Sequence, residues 1–275
     1  MERSHRVGVT VGLMSLVLSW ATQAAAQQTA PVPSAAVPPA QAKPSTAETE
    51  QPAGPVFTLG DKQETIAPIK QHDGLAEGGK VEVKAESGTL SLTMTAAAAA
   101  HCWVGCHSVG GQRLYVTQPF EITSTAQGNT AAVVTLESTL KGVLRGRHKG
   151  SGCLHLAGAA VYAQSGAPTP LSLAYPPASA PSGCAFKYER EAKLPPITLP
   201  LGKYVLVADF LVQAEADGFA NGHGVADFSS DDLPDAWKQE KDPFKDVDRK
   251  EFGFVVTLTA ESPKAPVVKQ AALRR

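Results

Sequence analysis

Two stretches of this chain alternate large apolar residues with smaller or polar ones at every second position. One stretch covers residues 203–216 and the other covers residues 252–260. Successive side chains of a β-strand point to opposite faces, so a period of two gathers the large residues on one face. These residues are Tyr204, Leu206, Phe210 and Val212 in the first stretch, and Phe252, Phe254, Val256 and Leu258 in the second. The alternation predicts strands that bury one face in a hydrophobic core.

The remainder of the chain after residue 55 contains short runs of β-forming residues separated by Gly, Pro, Ser and Asn. This pattern predicts an all-β domain over residues 56–262, built as an antiparallel β-sandwich or a jelly-roll-like fold. Repeated strand–helix alternation is missing from the pattern, which disfavours a doubly wound nucleotide-binding fold. The predicted strands are Val56–Leu59, Lys80–Ala85, Thr89–Ala96, Arg113–Val116, Phe120–Thr123, Thr130–Glu137, Cys153–Ala159, Cys184–Tyr188, Lys203–Glu215 and Phe252–Ala260.

Residues 1–26 have the three parts of a cleavable secretory signal peptide. Arg3 and Arg6 supply the positive charge, residues 7–20 form an uncharged, largely apolar run, and Ala24–Ala26 provide small residues before the cleavage site. We therefore expect cleavage near Ala26 and a periplasmic or secreted location. We expect no transmembrane segment in the mature chain, because the apolar run is shorter than the ~20 residues that span a bilayer.

The segments that flank the predicted domain have a different composition. Residues 27–55 are dominated by proline and alanine, lack aromatic residues and predict a disordered, extended linker. Residues 263–275 predict a flexible tail. Within the domain, residues 164–183 are rich in Pro, Ser and Ala and predict a surface loop, and residues 217–250 predict a long charged loop. One or two helical turns are expected at residues 233–241, since Pro234 suits a first helical position.

The chain has four cysteines: Cys102, Cys106, Cys153 and Cys184. In an oxidising compartment an even number of cysteines predicts disulfides. Four cysteines allow three pairings, and the sequence does not choose among them. Our working hypothesis pairs Cys102 with Cys106 as a local loop and Cys153 with Cys184 across the loop of residues 164–183.

The segment His101-Cys102-Trp103-Val104-Gly105-Cys106-His107 carries the most specific chemistry in the chain. The first interpretation is structural: a disulfide on a turn, with Trp103 packed against the sulfurs. The run CWVGCH also resembles the haem-attachment site of c-type cytochromes, with one residue more between the cysteines than is common. The resemblance covers six residues and implies thioether bonds from Cys102 and Cys106 to haem c, with His107 as the proximal iron ligand.

A metal centre is the third interpretation of this segment. His101, Cys102, Cys106 and His107, joined by Cys153 and His155 from another strand, offer ligands that suit copper or zinc. Export weakens this interpretation, because thiolates must stay reduced to bind a metal.

A separate acidic stretch suggests calcium, which prefers oxygen ligands. Its candidate ligands are Asp227, Asp231, Asp232, Asp235, Asp246 and Asp248. Lysines and arginines alternate with these carboxylates, and such mixing is equally typical of a solvated surface.

The formal net charge of -1 argues against general nucleic-acid binding, which needs a basic face. The sequence lacks the Gly-x-Ser-x-Gly and His-Glu-x-x-His motifs of hydrolases, so a non-catalytic role is favoured over an enzymatic one. These patterns together predict an exported binding or structural accessory module of the bacterial envelope that needs no cofactor. Its expected partner is an envelope protein or a surface glycan. The alternatives are a redox, metal or haem protein centred on His101–His107 and a calcium-dependent surface or carbohydrate binder.

Overall fold

The computed structural model describes residues 54–218, 221–229 and 248–263, and these residues form strands and turns without a helix. Accordingly, no helix that could cross a membrane is found in these ranges. The strands are β1 (Pro55–Leu59), β2 (Gln63–Gln71), β3 (Leu75–Glu86), β4 (Thr89–Cys102), β5 (His107–Ser124), β6 (Ala131–Arg147), β7 (Gly150–Ala163), β8 (Pro168–Tyr175), β9 (Ala178–Ala180), β10 (Ala185–Lys193), β11 (Ile197–Pro200), β12 (Gly202–Asp217), β13 (Gly222–Phe228) and β14 (Gly253–Glu261).

The strands form two antiparallel sheets that pack face to face as a β-sandwich. The front sheet has the order β1-β5-β12-β7-β8, with β2 also on β5 and β9 also on β7. The back sheet has the order β10-β6-β13-β4-β14, with β11 also on β6, β3 also on β4, and an additional pairing of β6 with β14. The predicted all-β sandwich is confirmed.

Several connections pass from one sheet to the other at the same end of the sandwich, which we call the crossing end. These connections are β2–β3, β4–β5, β6–β7 and β12–β13. The backbones approach so closely here that a Cβ on Gly152 would lie 1.8 Å from the carbonyl oxygen of Val225. Glycine at this position therefore lets the two sheets meet, and the crossing end gathers loops from both.

The core lies between the sheets and follows the alternation seen in the sequence. Leu206, Ala208, Phe210 and Val212 of β12 are fully buried, while the residues that alternate with them are partly exposed. The Phe210 ring contacts Phe228 and Phe254 of the back sheet, with centroid separations of 5.7 and 6.0 Å. Burial of these large apolar side chains is the main favourable contribution to folding.

Two segments predicted to be loops contain β-strands. Residues 164–183 contain β8 and β9, and β8 packs on β7 because Leu171, Leu173 and Tyr175 point inward at every second position. Within the stretch 217–250, residues 222–228 form strand β13, which lies between β4 and β6. The signal peptide, residues 27–53 of the linker, the helical turns at 233–241 and nearly all of the tail lie outside the described residues.

Candidate functional site

The candidate site is the turn between β4 and β5 at the crossing end. Cys102 ends β4 and is fully buried, and it forms a disulfide with Cys106 across a Cα–Cα distance of 5.8 Å. Gly105 has a φ of 69°, in the left-handed region that favours glycine, and this conformation lets the chain turn between the two cysteines. The first interpretation of this segment, a disulfide on a turn, agrees with this geometry.

A neighbouring loop anchors the turn. The Gly218 N–H donates to the Cys106 carbonyl at 2.8 Å, and the Gly105 N–H donates to the Gly218 carbonyl. A Cβ on Gly218 would lie 2.4 Å from the Cys102 sulfur, so the close contact requires glycine. The turn is therefore held by a covalent bond and by backbone bonds from the end of β12.

Trp103 and Val104 project from this anchored turn into solvent. Their relative exposures are 65% and 77%, the largest among the exposed large hydrophobic residues of the described ranges. Packing of Trp103 against the sulfurs stays a prediction, and the close backbone neighbour of the buried Cys102 sulfur is Gly218. An exposed Trp on a fixed backbone is unusual, since tryptophan is highly buried on average.

Polar side chains lie around Trp103. The His101 ring contacts the Trp103 ring at a centroid distance of 5.3 Å, and its Nε2 donates to Asn221 Oδ1 at 2.6 Å. On the other side of the turn, His107 Nδ1 donates to Asp217 Oδ1 at 2.7 Å. We name this set of residues the Trp103 platform: His101, Trp103, His107, Asp217 and Asn221.

The platform is preorganised by local backbone geometry. Asn221 has a φ of 57°, in the left-handed region that asparagine adopts more readily than most residues. Its N–H donates to the Trp103 carbonyl at 3.4 Å. The His101 ring also lies 5.9 Å from the ring of the buried His223. His101 is therefore held by the rings of Trp103 and His223 and by the side-chain amide of Asn221.

Four of the six residues predicted for a metal or haem site lie on this one turn, and the other two, Cys153 and His155, lie on β7. His101, Cys102, Cys106 and His107 share the turn, whereas His155 is exposed at a bulge of β7 opposite Leu211 and Val212. Thioether bonds to haem, or thiolate bonds to copper or zinc, would require the Cys102–Cys106 disulfide to be reduced. Within the described ranges, no group of three or more His, Cys, Asp or Glu side chains is arranged to hold a metal ion.

The predicted disulfide between Cys153 and Cys184 is not formed in this structure, where both cysteines are free. Cys153 lies on β7 of the front sheet, beside the Ser179 hydroxyl at 3.3 Å. Cys184 is exposed at the turn before β10, which belongs to the back sheet. The expectation assumed a surface loop between them, whereas β8 and β9 fix this part of the chain on the front sheet.

Two of the predicted calcium ligands, Asp227 and Asp248, lie within the described residues, and each accepts a hydrogen bond from a neighbouring group. Asp227 is buried on β13, and its Oδ2 accepts from Arg249 Nε at 3.0 Å. Burial raises the pKa of Asp227 above its ordinary value of 3.8, and bonds from Ser229 and Arg249 oppose that rise. Asp248 accepts from the Lys250 N–H at 3.1 Å. Asp231, Asp232, Asp235 and Asp246 lie outside the described residues.

Sequence reasoning missed Asp217, Gly218 and Asn221, which belong to the site from a distant part of the chain. All three residues fall at the start of the stretch 217–250, which the sequence predicts to be a long loop. The turn signal in the residues from Asp217 to Gly222 was visible in the sequence. The pairing of that turn with residues 101–107 depends on the antiparallel register of β12 with β5 and of β13 with β4.

No known family model matches the chain, and no curated protein matches it. Among solved structures, the chain is similar to a chain from infectious bursal disease virus Gx strain, with 11% identity over 82% of this chain and 42% of that one, at a TM-score of 0.19. A chain from the Gt strain of the same virus is 11% identical over 84% of this chain and 42% of that one, at a TM-score of 0.17. This chain thus spans less than half the length of either, and similarity at these TM-scores carries no argument about function.

Proposed function

We propose that this protein is an exported, non-catalytic binding module of the bacterial envelope. The observation that carries the proposal is Trp103, which is 65% exposed on a turn closed by a disulfide. A rigid exposed aromatic side chain contributes contact area while losing little conformational entropy on binding. For this reason tryptophan is enriched among residues that dominate binding energy.

The leader and the linker support the location. A signal peptide at residues 1–26 delivers the domain to the periplasm or the exterior, and a Pro/Ala-rich linker separates it from the chain start. Oxidation in that compartment would close the Cys102–Cys106 bond. Export would therefore supply the oxidising conditions in which the disulfide-closed turn forms.

The test uses the full chain, produced in an export-competent bacterium. Intact mass before and after reduction, with thiol alkylation, should show cleavage near Ala26 and one disulfide plus two free thiols, consistent with the pairing seen here. Envelope association is then measured by fractionation for the wild type, Trp103→Ala and Tyr115→Ala. Tyr115, another exposed aromatic residue, lies on the front sheet and serves as the matched control.

We expect association with the envelope fraction to fall by about ten-fold or more in Trp103→Ala and to persist in Tyr115→Ala. Retention of the uncleaved chain in the cytoplasm would overturn the location. Equal association of all three proteins would overturn binding through Trp103.

A further inference from the structure

Resting on the proposed function, we infer that the Trp103 platform binds the pyranose rings of an envelope glycan. A pyranose ring presents C–H groups on its flat face and hydroxyl groups around its edge. A site for such a ring needs an exposed aromatic surface with hydrogen-bonding side chains close by. The platform places Trp103 next to His101 and Asn221, with His107 and Asp217 across the same turn.

The aromatic part of the site is Trp103. Its large π-face is electron-rich and attracts the slightly positive C–H groups of a sugar, in the same way that it attracts cations and aromatic edges. The His101 ring meets the Trp103 ring at an interplanar angle of 75°, which supports one side of the indole. The indole remains mostly exposed, at 65%, so contact with a ring-shaped ligand is sterically open.

The polar part of the site retains hydrogen-bonding capacity after its internal bonds are made. Asn221 accepts from His101 through Oδ1, so its amide nitrogen keeps two donors for a ligand. Asp217 uses Oδ1 for His107 and keeps Oδ2 as an acceptor, while His107 keeps Nε2. Adjacent donors and acceptors of this kind match hydroxyl groups, each of which both donates and accepts.

The same polar groups argue against a lipid surface as the ligand. Insertion of Trp103 and Val104 into a bilayer would bring Asp217 and Asn221 towards the apolar region, and burial of such groups without partners is costly. The carboxylate of Asp217 would also face anionic headgroups. A hydroxyl-rich ligand satisfies these groups instead of desolvating them.

The test measures co-sedimentation of the exported protein with the insoluble polysaccharide of the producing cell's envelope, after removal of protein and lipid. Vesicles made from the extracted lipids form the second arm. The variants are Trp103→Ala and Asn221→Ala, with Val104→Ser and Tyr115→Ala as controls that leave the proposed sugar contacts in place. Circular dichroism confirms that each variant is folded.

We expect the affinity for polysaccharide to fall by about ten-fold or more in Trp103→Ala and by several-fold in Asn221→Ala, with both controls close to wild type. Vesicle binding that Val104→Ser weakens, without polysaccharide binding, would overturn the glycan assignment in favour of lipid. No sedimentation with polysaccharide at all would also overturn it. If Trp103→Ala nevertheless loses association with the intact envelope, the proposed binding function stands and the glycan inference alone fails.

Discussion

At the scale of single residues, the site depends on the close contact between Gly218 and the Cys102 sulfur. A methyl side chain at position 218 would disrupt this contact. Gly218 lies against the Cys102 sulfur and bonds to Cys106 and Gly105, so it joins the end of β12 to the β4–β5 turn. This contact, together with the disulfide, fixes the backbone of the turn. The position of the exposed Trp103 therefore depends on Gly218.

Gly218→Ala should destabilise the folded protein by about 1–3 kcal/mol, because the added Cβ would lie 2.4 Å from the Cys102 sulfur and 2.8 Å from two backbone nitrogens. The measurement is urea unfolding followed by circular dichroism. Gly54→Ala is the matched control, since nothing lies within 4 Å of its Cβ. Equal stability of the two variants would show that the turn yields to the methyl group.

At the scale of elements, strand β13 places the buried carboxyl group of Asp227 in the back sheet. Asp227 on this strand is 2% exposed and pairs with Arg249, whose side chain is 10% exposed. The charge of Arg145 also lowers the pKa of Asp227, yet burial is the largest effect and the net direction is upward. The paired charges join β13 to the residues that precede β14.

The pH dependence of this pair follows from the raised pKa. A carboxyl group whose pKa is raised in the folded state contributes stability below its ordinary pKa, here 3.8, and that contribution is lost as the pH rises through the raised value. Arg249→Met removes a cation that opposes the rise, so the pKa should rise further. The destabilisation should then reach about 3 kcal/mol at about pH 7 and be smaller at about pH 4.

Urea unfolding at the two pH values, for the wild type, Arg249→Met and the double variant with Asp227→Asn, checks this expectation. The double variant should recover part of the loss at the higher pH, because the amide carries no charge to desolvate. A loss for Arg249→Met that is equal at both pH values, or no recovery in the double variant, would contradict the assigned ion pair.

At the scale of the whole molecule, aromatic rings join the two sheets. Phe210 on β12 contacts Phe228 on β13 and Phe254 on β14, and all three are fully buried. These contacts connect the middle of the front sheet to the back sheet. The sandwich should therefore unfold as one cooperative unit.

Phe210→Ala should cost about 3–5 kcal/mol of unfolding free energy, because it opens a cavity that the surrounding strands cannot fully close. Tyr115→Ala, on the outer face of the front sheet, should cost about 0.5 kcal/mol or less. Denaturant unfolding monitored by two probes checks both values. A loss of similar size in both variants, or separate transitions for the two probes, would argue against a single shared core.

Some strands could be predicted from the sequence, whereas other strands and side-chain contacts could not. The alternation from Tyr204 to Val212 was sufficient to predict β12 and its buried face, because strand periodicity is a local property. The alternation of Leu171, Leu173 and Tyr175 was equally local but was obscured by the prolines around it, so β8 was missed. The pairing of Arg249 with Asp227 could not be predicted from composition, because it depends on where β13 and the residues before β14 lie in the folded chain.

The sequence by itself determined the all-β class, the buried faces of β12 and β14 and the turn that contains Cys102 and Cys106. These are consequences of side-chain period and of short-range chemistry. The tertiary structure decided which residues surround the turn that carries Trp103, because Asp217 and Asn221 reach this turn through strand register across more than a hundred residues. It also decided that Trp103 is exposed, since exposure depends on which distant parts of the chain lie beside the turn and not on any local pattern.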